Sequence, residues 1–227
     1  ATLYINLEPC AHEGKTPPCA PAVVKAGISR VAAAIEDPDP RVAGKGFGIL
    51  REGGVVVETG LLAREAALLN EAFITSIEKG RPFVTLKMAM SLDGRIAAPS
   101  GESRWITGEP ARARAHDFRD RVDAILVGVE TLIKDDPLLT ARPEGKVGKP
   151  LIRVVLDSRL RTPKEARALP PDRGVATLIV ALEGGGSPKA IALEKAGAEI
   201  VITEAGPDGR VALAPLLETL GERGVRH

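Results

Sequence analysis

The sequence predicts an α/β protein in two domains, and two observations carry that expectation. Short β-branched runs alternate with apolar or amphipathic runs of helical length along all 227 residues. One long periodic stretch, Leu61 to Lys79, separates an earlier series of such runs from a later one, and Gly80 closes it at the position favoured past a helix C-terminus. Strands interleaved with helices imply mostly parallel sheets covered on both faces. A boundary near Lys79-Gly80-Arg81-Pro82 gives domains 1–80 and 81–227.

In order, Thr2 to Leu7 reads as a strand and Pro21 to Ala26 as a helix-compatible run. Arg30 to Ile35 is a strand, Phe47 to Glu52 a short helix stopped by Gly53-Gly54, and Val55 to Val57 a third strand. In the stretch 61–79, Leu62, Ala66, Leu69, Phe73 and Ile77 recur at helical spacing, with Arg64, Glu65, Asn70 and Glu78 off that line. The second half repeats the alternation. Strands are expected at Phe83 to Ala89, Ala124 to Val127, Leu151 to Leu156, Ala176 to Leu182 and Glu199 to Ile202. Helices fit Glu109 to Val122, Pro188 to Ala196 and Leu213 to Glu222, the first with Thr107 as N-cap. Gly184-Gly185-Gly186 reads as a surface turn, since it lacks the Lys-Ser/Thr or the wider Gly spacing of phosphate loops.

Composition narrows the function. With 44% hydrophobic residues the chain can bury a real core, and a net charge of +1 argues against nucleic acid or membrane partners. Aromatics are only 3%, too few for a surface that stacks bases. No apolar run reaches transmembrane length and no signal peptide opens the sequence, so a cytoplasmic protein is expected. Ala1 enters a strand-like run directly and Gly224-Val225-Arg226-His227 reads like the start of another. A fragment of a longer chain is the expectation, with a complete protein as the alternative.

Both cysteines lie in Pro9-Cys10-Ala11-His12-Glu13-Gly14-Lys15-Thr16-Pro17-Pro18-Cys19, at a strand end and before a helix. Thiolates held by a proline-stiffened loop suit Zn²⁺, and both the metal and a helix N-terminus favour the deprotonated thiol. Two thiolates do not complete a tetrahedral site, and a disulfide or two unrelated buried thiols are the alternatives. The segment resembles the second half of the cytidine-deaminase-type zinc signature, a His-x-Glu element followed by Pro-Cys and a second Cys. Its longer loop is similar to the deaminase half of the bifunctional riboflavin-biosynthesis deaminase/reductase family. Asp37-Pro38-Asp39-Pro40 then resembles that family's Asp-Pro-Asn-Pro loop. The resemblance implies that Cys10 and Cys19 bind zinc and that His12, Lys15, Asp37 and Asp39 contact the pyrimidine or its ribose phosphate. At Asp39 an acceptor-only carboxylate stands where the family has an amide. The family's glutamate acid/base belongs to the His-x-Glu element, expected upstream of Ala1, so Glu8 is not assigned that role and this chain is expected to lack deaminase activity.

In the second half, Lys87-Met88-Ala89-Met90-Ser91-Leu92-Asp93-Gly94 leads through Ser103-Arg104-Trp105-Ile106-Thr107-Gly108 into a helix start, a place for an anion and a flat ring. A capped helix with a packed Trp is the plain alternative. Gly128-Val129-Glu130-Thr131, Asp135-Asp136-Pro137-Leu138-Leu139-Thr140-Ala141-Arg142 and Leu156-Asp157-Ser158 follow. These blocks resemble the reductase half of the same family, which implies a dihydrofolate-reductase-like α/β domain behind a partial cytidine-deaminase-like α/β/α domain. That fold binds NADPH without a Gly-x-Gly-x-x-Gly fingerprint. The resemblance places Ala89, Trp105, Thr131, Asp135 and Ser158 at NADPH, and Ser103, Arg119, Leu139 and Arg142 at the ribosylamino-pyrimidine phosphate. Forked guanidinium donors suit a phosphate. A solvated helix face for Arg119, a surface loop for Arg142 and a helix stop at Asp135-Asp136-Pro137 are the alternatives. The implied activities are zinc-dependent hydrolytic deamination and NADPH-dependent reduction of a ribosyl to a ribityl chain, in a homodimer or tetramer. The rival readings are a reductase with a vestigial deaminase scaffold and a zinc-stabilised interaction module.

Overall fold

A computed structural model of the protein describes residues 1–14, 16–103, 105–172 and 174–227. Contacts divide the chain into two units, Ala1–Phe83 and Val84–His227, each with its own core.

In the first unit the order is β1 (Thr2–Leu7), α1 (Cys19–Lys25), β2 (Arg30–Ile35), α2 (Lys45–Glu52), β3 (Val56–Thr59), α3 (Ala63–Leu69) and α4 (Glu71–Lys79). The three strands form one parallel sheet with β2 in the middle, Ile5 opposite Ala33 and Val31 opposite Val57. Because β2 is paired on both edges and covered on both faces, its run Val31 to Ala34 is wholly buried, the pattern of a central parallel strand. Ala20 of α1 and Phe47 and Leu50 of α2 close the core. A fully buried side chain of the size of Phe47 or Leu50 contributes about 1.5–3 kcal/mol. Gly53 lets the two helices approach: a Cβ there would stand 2.6 Å from Val24.

The second unit contains α5 (Glu109–Arg119), β4 (Ala124–Gly128), α6 (Val129–Asp135), β5 (Ile152–Leu156), β6 (Thr177–Ala181), α7 (Pro188–Lys195), β7 (Ala198–Ile202) and α8 (Leu213–Glu222). Its strands run parallel in the order β4-β5-β6-β7. Side chains alternate across this sheet. Val155 and Ile179 pack on one face with Leu132 of α6 and Leu193 of α7, while Val154, Leu178 and Val180 pack on the other with Leu216 and Leu220 of α8. No helix among the described residues is long and apolar enough to cross a membrane.

Four expectations are corrected. Phe83 to Ala89 is not a strand: it pairs with no strand among the described residues, and Val84, Leu86 and Met88 are exposed. An alternating pattern does not order a segment without a ladder partner and a buried face. The helix expected over 61–79 breaks at Asn70, whose Nδ2 donates to the Ala66 carbonyl while its backbone sits at φ −102, ψ 10. This local side-chain bond competes with helix continuation. Helix α5 is capped by Gly108 rather than Thr107, whose carbonyl instead accepts from Arg112. It also stops at Arg119, because the Asp120 carboxylate is committed to Lys146 and to the Lys149 backbone N–H. Beyond these four, α6 directly after β4 is a seven-residue helix that periodicity missed, and it ends at Asp135 with Asp136 as C-cap, where a helix stop was the alternative reading.

Candidate functional site

Two groups of chemistry-bearing side chains stand out, one in each unit. In the first, β1 ends at Leu7 and delivers Glu8, Pro9 and Cys10, while Cys19 opens α1. Cys10 and Cys19 are adjacent: the Cys19 N–H donates to Cys10 Sγ at 3.2 Å, and neither is in a disulfide. Hydrogen bonding with Cys10, together with burial and the neighbouring sulfur, pushes the Cys19 thiol up. Removing both protons places two negative charges side by side, which a cation would relieve. Among the described residues no group of three or more His, Cys, Asp or Glu is arranged to hold a metal ion.

The loop after β2 is built around Glu8. Its buried carboxylate accepts from the N–H groups of Asp37 at 3.2 Å, Gly44 at 3.0 Å and Phe47 at 3.0 Å. Glu8 therefore fixes the loop and the start of α2. Gly46 is required at this junction, because a Cβ there would meet the Pro9 carbonyl oxygen at 2.0 Å. The loop carries Asp37 and Asp39, both buried, and both feel the charge of His12. Burial pushes the Asp37 carboxyl up, with Asp39 and Glu8 adding to it. The Arg41 guanidinium and N–H hold Asp39 down at about 2. Nδ1 of His12 is buried and has no hydrogen-bond partner among the described residues. The structure thus brings His12, Asp37 and Asp39 together; Lys15 lies outside the described residues.

In the second unit a cleft of about 830 Å³ opens beside β4. Ile125 and Val127, two apart on β4, present the same face and form its floor. Helix α5 contributes Arg112, Ala115, His116 and Arg119, a set at i, i+3, i+4 and i+7 that shares one helix face. Helix α6 contributes Thr131 and Asp135, one turn apart. The turn after α6 completes the wall with Leu139 and Arg142. Asp136 and Leu139 hold that turn in the left-handed region, at φ 39 and 52. Asp136 is fixed by the Arg167 N–H at 2.8 Å, and the Leu139 side chain packs into the core. Ala89, Ser103 and Trp105 line the same cleft.

Eight of the nine residues expected to bind cofactor or substrate in this half are therefore neighbours on one surface. Ser158 is not among the lining residues. It follows β5, whose Leu156 is in register with Gly128 at the end of β4. The preceding Asp157 is fully buried and accepts from both the N–H and the hydroxyl of Thr162, which pins that turn.

Trp105 is 71% exposed, with the Arg112 guanidinium 4.3 Å above its ring. Arg119 and Arg142 face each other without an intervening acid: among the described residues no carboxylate pairs with either. Burial, then the charge of Arg142, pushes the Arg119 guanidinium down. Two cations sharing a partly desolvated wall make its local potential positive. Sequence reasoning missed His116 and Arg112. Their only signal was a shared helix face with Arg119, and that face acquires meaning once β4 and the 136–142 turn lie against it.

The RibD C-terminal domain family matches residues 82–227. The chain is 43% identical to the riboflavin biosynthesis protein RibD of Bacillus amyloliquefaciens, over 99% of this chain and 59% of that protein. It is 40% identical to the RibD of Aquifex aeolicus, over 100% of this chain and 61% of the relative. Among solved structures it resembles a diaminohydroxyphosphoribosylaminopyrimidine deaminase/5-amino-6-(5-phosphoribosylamino)uracil reductase of Thermotoga maritima, with a TM-score of 0.80, 34% identity and coverage of 97% of this chain and 58% of that one. RibD of Acinetobacter baumannii superposes with a TM-score of 0.81 at 37% identity, over 97% of this chain and 59% of the other. The chain thus spans about three-fifths of the length of these relatives.

Proposed function

The chain belongs to the RibD C-terminal domain family, and from that premise we propose that its second unit is an NADPH-dependent reductase of a phosphorylated ribosylaminopyrimidine in riboflavin biosynthesis. The observation that carries this reading is the single cleft lined by Trp105, Thr131 and Asp135 together with Arg119 and Arg142. Its parts suit the two ligands. An exposed indole face takes a flat ring, and paired guanidiniums take a phosphate through forked hydrogen bonds. Ala89, Trp105, Thr131, Asp135 and Ser158 would hold the dinucleotide, with Ser103, Arg119, Leu139 and Arg142 at the substrate phosphate. When bound, NADPH would supply a hydride to C1 of the ring-opened imine or aldehyde form, leaving NADP⁺, while a proton from solvent goes to the adjacent nitrogen or oxygen to complete the ribityl chain. The residues of this chain position rather than react. The guanidiniums fix the phosphate end, the β4 floor keeps water from one side, and the fixed distance between the two ends sets the approach of C1.

The test is NADPH oxidation in the presence of 5-amino-6-(5-phosphoribosylamino)uracil. Absorbance loss at the nicotinamide band is expected, and Arg119→Ala should raise KM for the substrate by about tenfold or more while leaving dinucleotide affinity in place. Equal loss of both affinities would contradict the division of the cleft.

For the first unit the proposal is a partial cytidine-deaminase-like domain. Cys10 and Cys19 would be zinc ligands, and His12, Lys15, Asp37 and Asp39 would contact the pyrimidine ribose phosphate. In the bifunctional reading the first reaction is zinc-dependent hydrolytic deamination. The thiols fit a soft cation but stop at two donors, so no deamination step is assigned to these residues. The second reading is a reductase whose first unit is a vestigial scaffold. One zinc per chain by metal analysis would favour the bifunctional reading; metal-free protein with intact reductase activity would favour the scaffold. A homodimer or tetramer is carried over from the family resemblance.

A further inference from the structure

Resting on the reading of Arg119 and Arg142 as a phosphate site, we propose that His116 is a third ligand of the phosphate monoester and that its ring takes up a proton as the dianion binds. His116 lies one turn before Arg119 on the face of α5 that lines the cleft. Its Nδ1 stands 3.3 Å from the Arg142 backbone N, and its Nε2 stands 3.5 Å from the Arg142 guanidinium. Nδ1 accepts from the Arg142 N–H, which only an imidazole unprotonated at that nitrogen can do, so Nε2 carries the ring's one hydrogen.

The surroundings enforce that state. Burial and the charges of Arg119 and Arg142 push the imidazole down, against smaller pulls upward from the Thr140 carbonyl and from Asp117. In the empty cleft the ring is thus a neutral acceptor between two cations. A phosphate dianion entering there cancels both guanidinium charges, which are the charged groups that oppose the imidazolium. It also offers oxygens that accept from a ring N–H. The ring then protonates at Nδ1, giving up the Arg142 N–H, and with both nitrogens now donors it can donate to the ligand. Binding and proton uptake are linked, so affinity for the dianion rises as pH falls toward the range where histidine titrates. A structural role is the contrasting possibility: His116 would then only hold the Arg142 backbone and stay neutral with or without ligand.

The experiment follows the three histidine ring signals of the whole chain by NMR as pH is varied, with and without saturating ribose 5-phosphate. Phosphorus signals report the ligand's own titration separately. His116→Gln identifies its resonance by loss; if that variant does not fold, His12→Gln and His227→Gln identify it by elimination. The expected result is a His116 midpoint at least about one pH unit higher with ligand, equivalent to about tenfold linkage between proton and phosphate binding. His116→Gln should lose most of its affinity advantage at about pH 6 and little at about pH 8. Adenosine 2′-phosphate, run in parallel, distinguishes a substrate sugar phosphate from a dinucleotide phosphate: whichever ligand moves the midpoint is the source. Should ribose 5-phosphate bind in a manner weakened by Arg119→Ala and Arg142→Ala while the His116 midpoint stays fixed with both ligands, the inference fails and the phosphate reading survives. Should binding of both ligands be indifferent to the two arginines, both fail together.

Discussion

Asp39 lies under Arg41, whose guanidinium and backbone N–H both donate to its carboxylate. An amide at this position could not form that ion pair. The consequence is a pH dependence with a definite sign. The Arg41 hydrogen bonds hold Asp39 at about 2, below the ~3.9 of an unfolded aspartate. A depressed carboxylate contributes stability that is fully present above the unfolded value and is lost as pH falls through the folded one. Unit 1 should therefore lose stability between about pH 4 and about pH 2, and Asp39→Asn should flatten that part of the curve. Urea midpoints across this range measure it; an unchanged slope in the variant would show that the Arg41 pairing contributes nothing. Asp37 works in the opposite direction, since burial raises its carboxyl and makes ionisation unfavourable to the fold.

At the scale of elements, α7 shows local rules and tertiary packing in agreement. Ser187 caps it, its Oγ accepting from the Ala190 N–H at 3.1 Å, and Pro188 occupies the first turn. Ser187→Ala should destabilise unit 2 by about 1 kcal/mol, and Ser187→Asp should restore most of it; denaturant midpoints of the three proteins decide. Elements of this kind were legible in the sequence: β5, β6, α7 and α8 lie within about a residue of the ranges read from β-branched runs, caps and apolar periodicity. The misreadings share a cause. Asn70 looks like an ordinary off-face polar residue until its amide bonds Ala66, and Phe83 to Ala89 has strand composition but enters no sheet among the described residues. Pattern specifies what a segment can become; neighbours decide whether it does.

Across the whole molecule, the two units carry different shares of the functional reading. The family match covers residues 82–227, and the curated relatives extend over both units. In unit 1 the thiols and the His12, Asp37 and Asp39 group were recognisable as short motifs close in sequence. In unit 2 the cleft joins residues from position 87 to position 167, so its membership came from matched blocks. His116, which belongs to no block, emerges only where α5 meets the 136–142 turn. The central claim, that this cleft holds NADPH, has a built-in reporter, because Trp105 is the one tryptophan of the chain and lines the cleft. Titrating NADPH while exciting that indole should give saturable quenching, with matching energy transfer into nicotinamide emission, and Thr131→Arg should abolish it by filling the wall of α6. Indole emission that stays constant while NADPH binds, or that falls only in proportion to absorbance without saturating, would contradict the account.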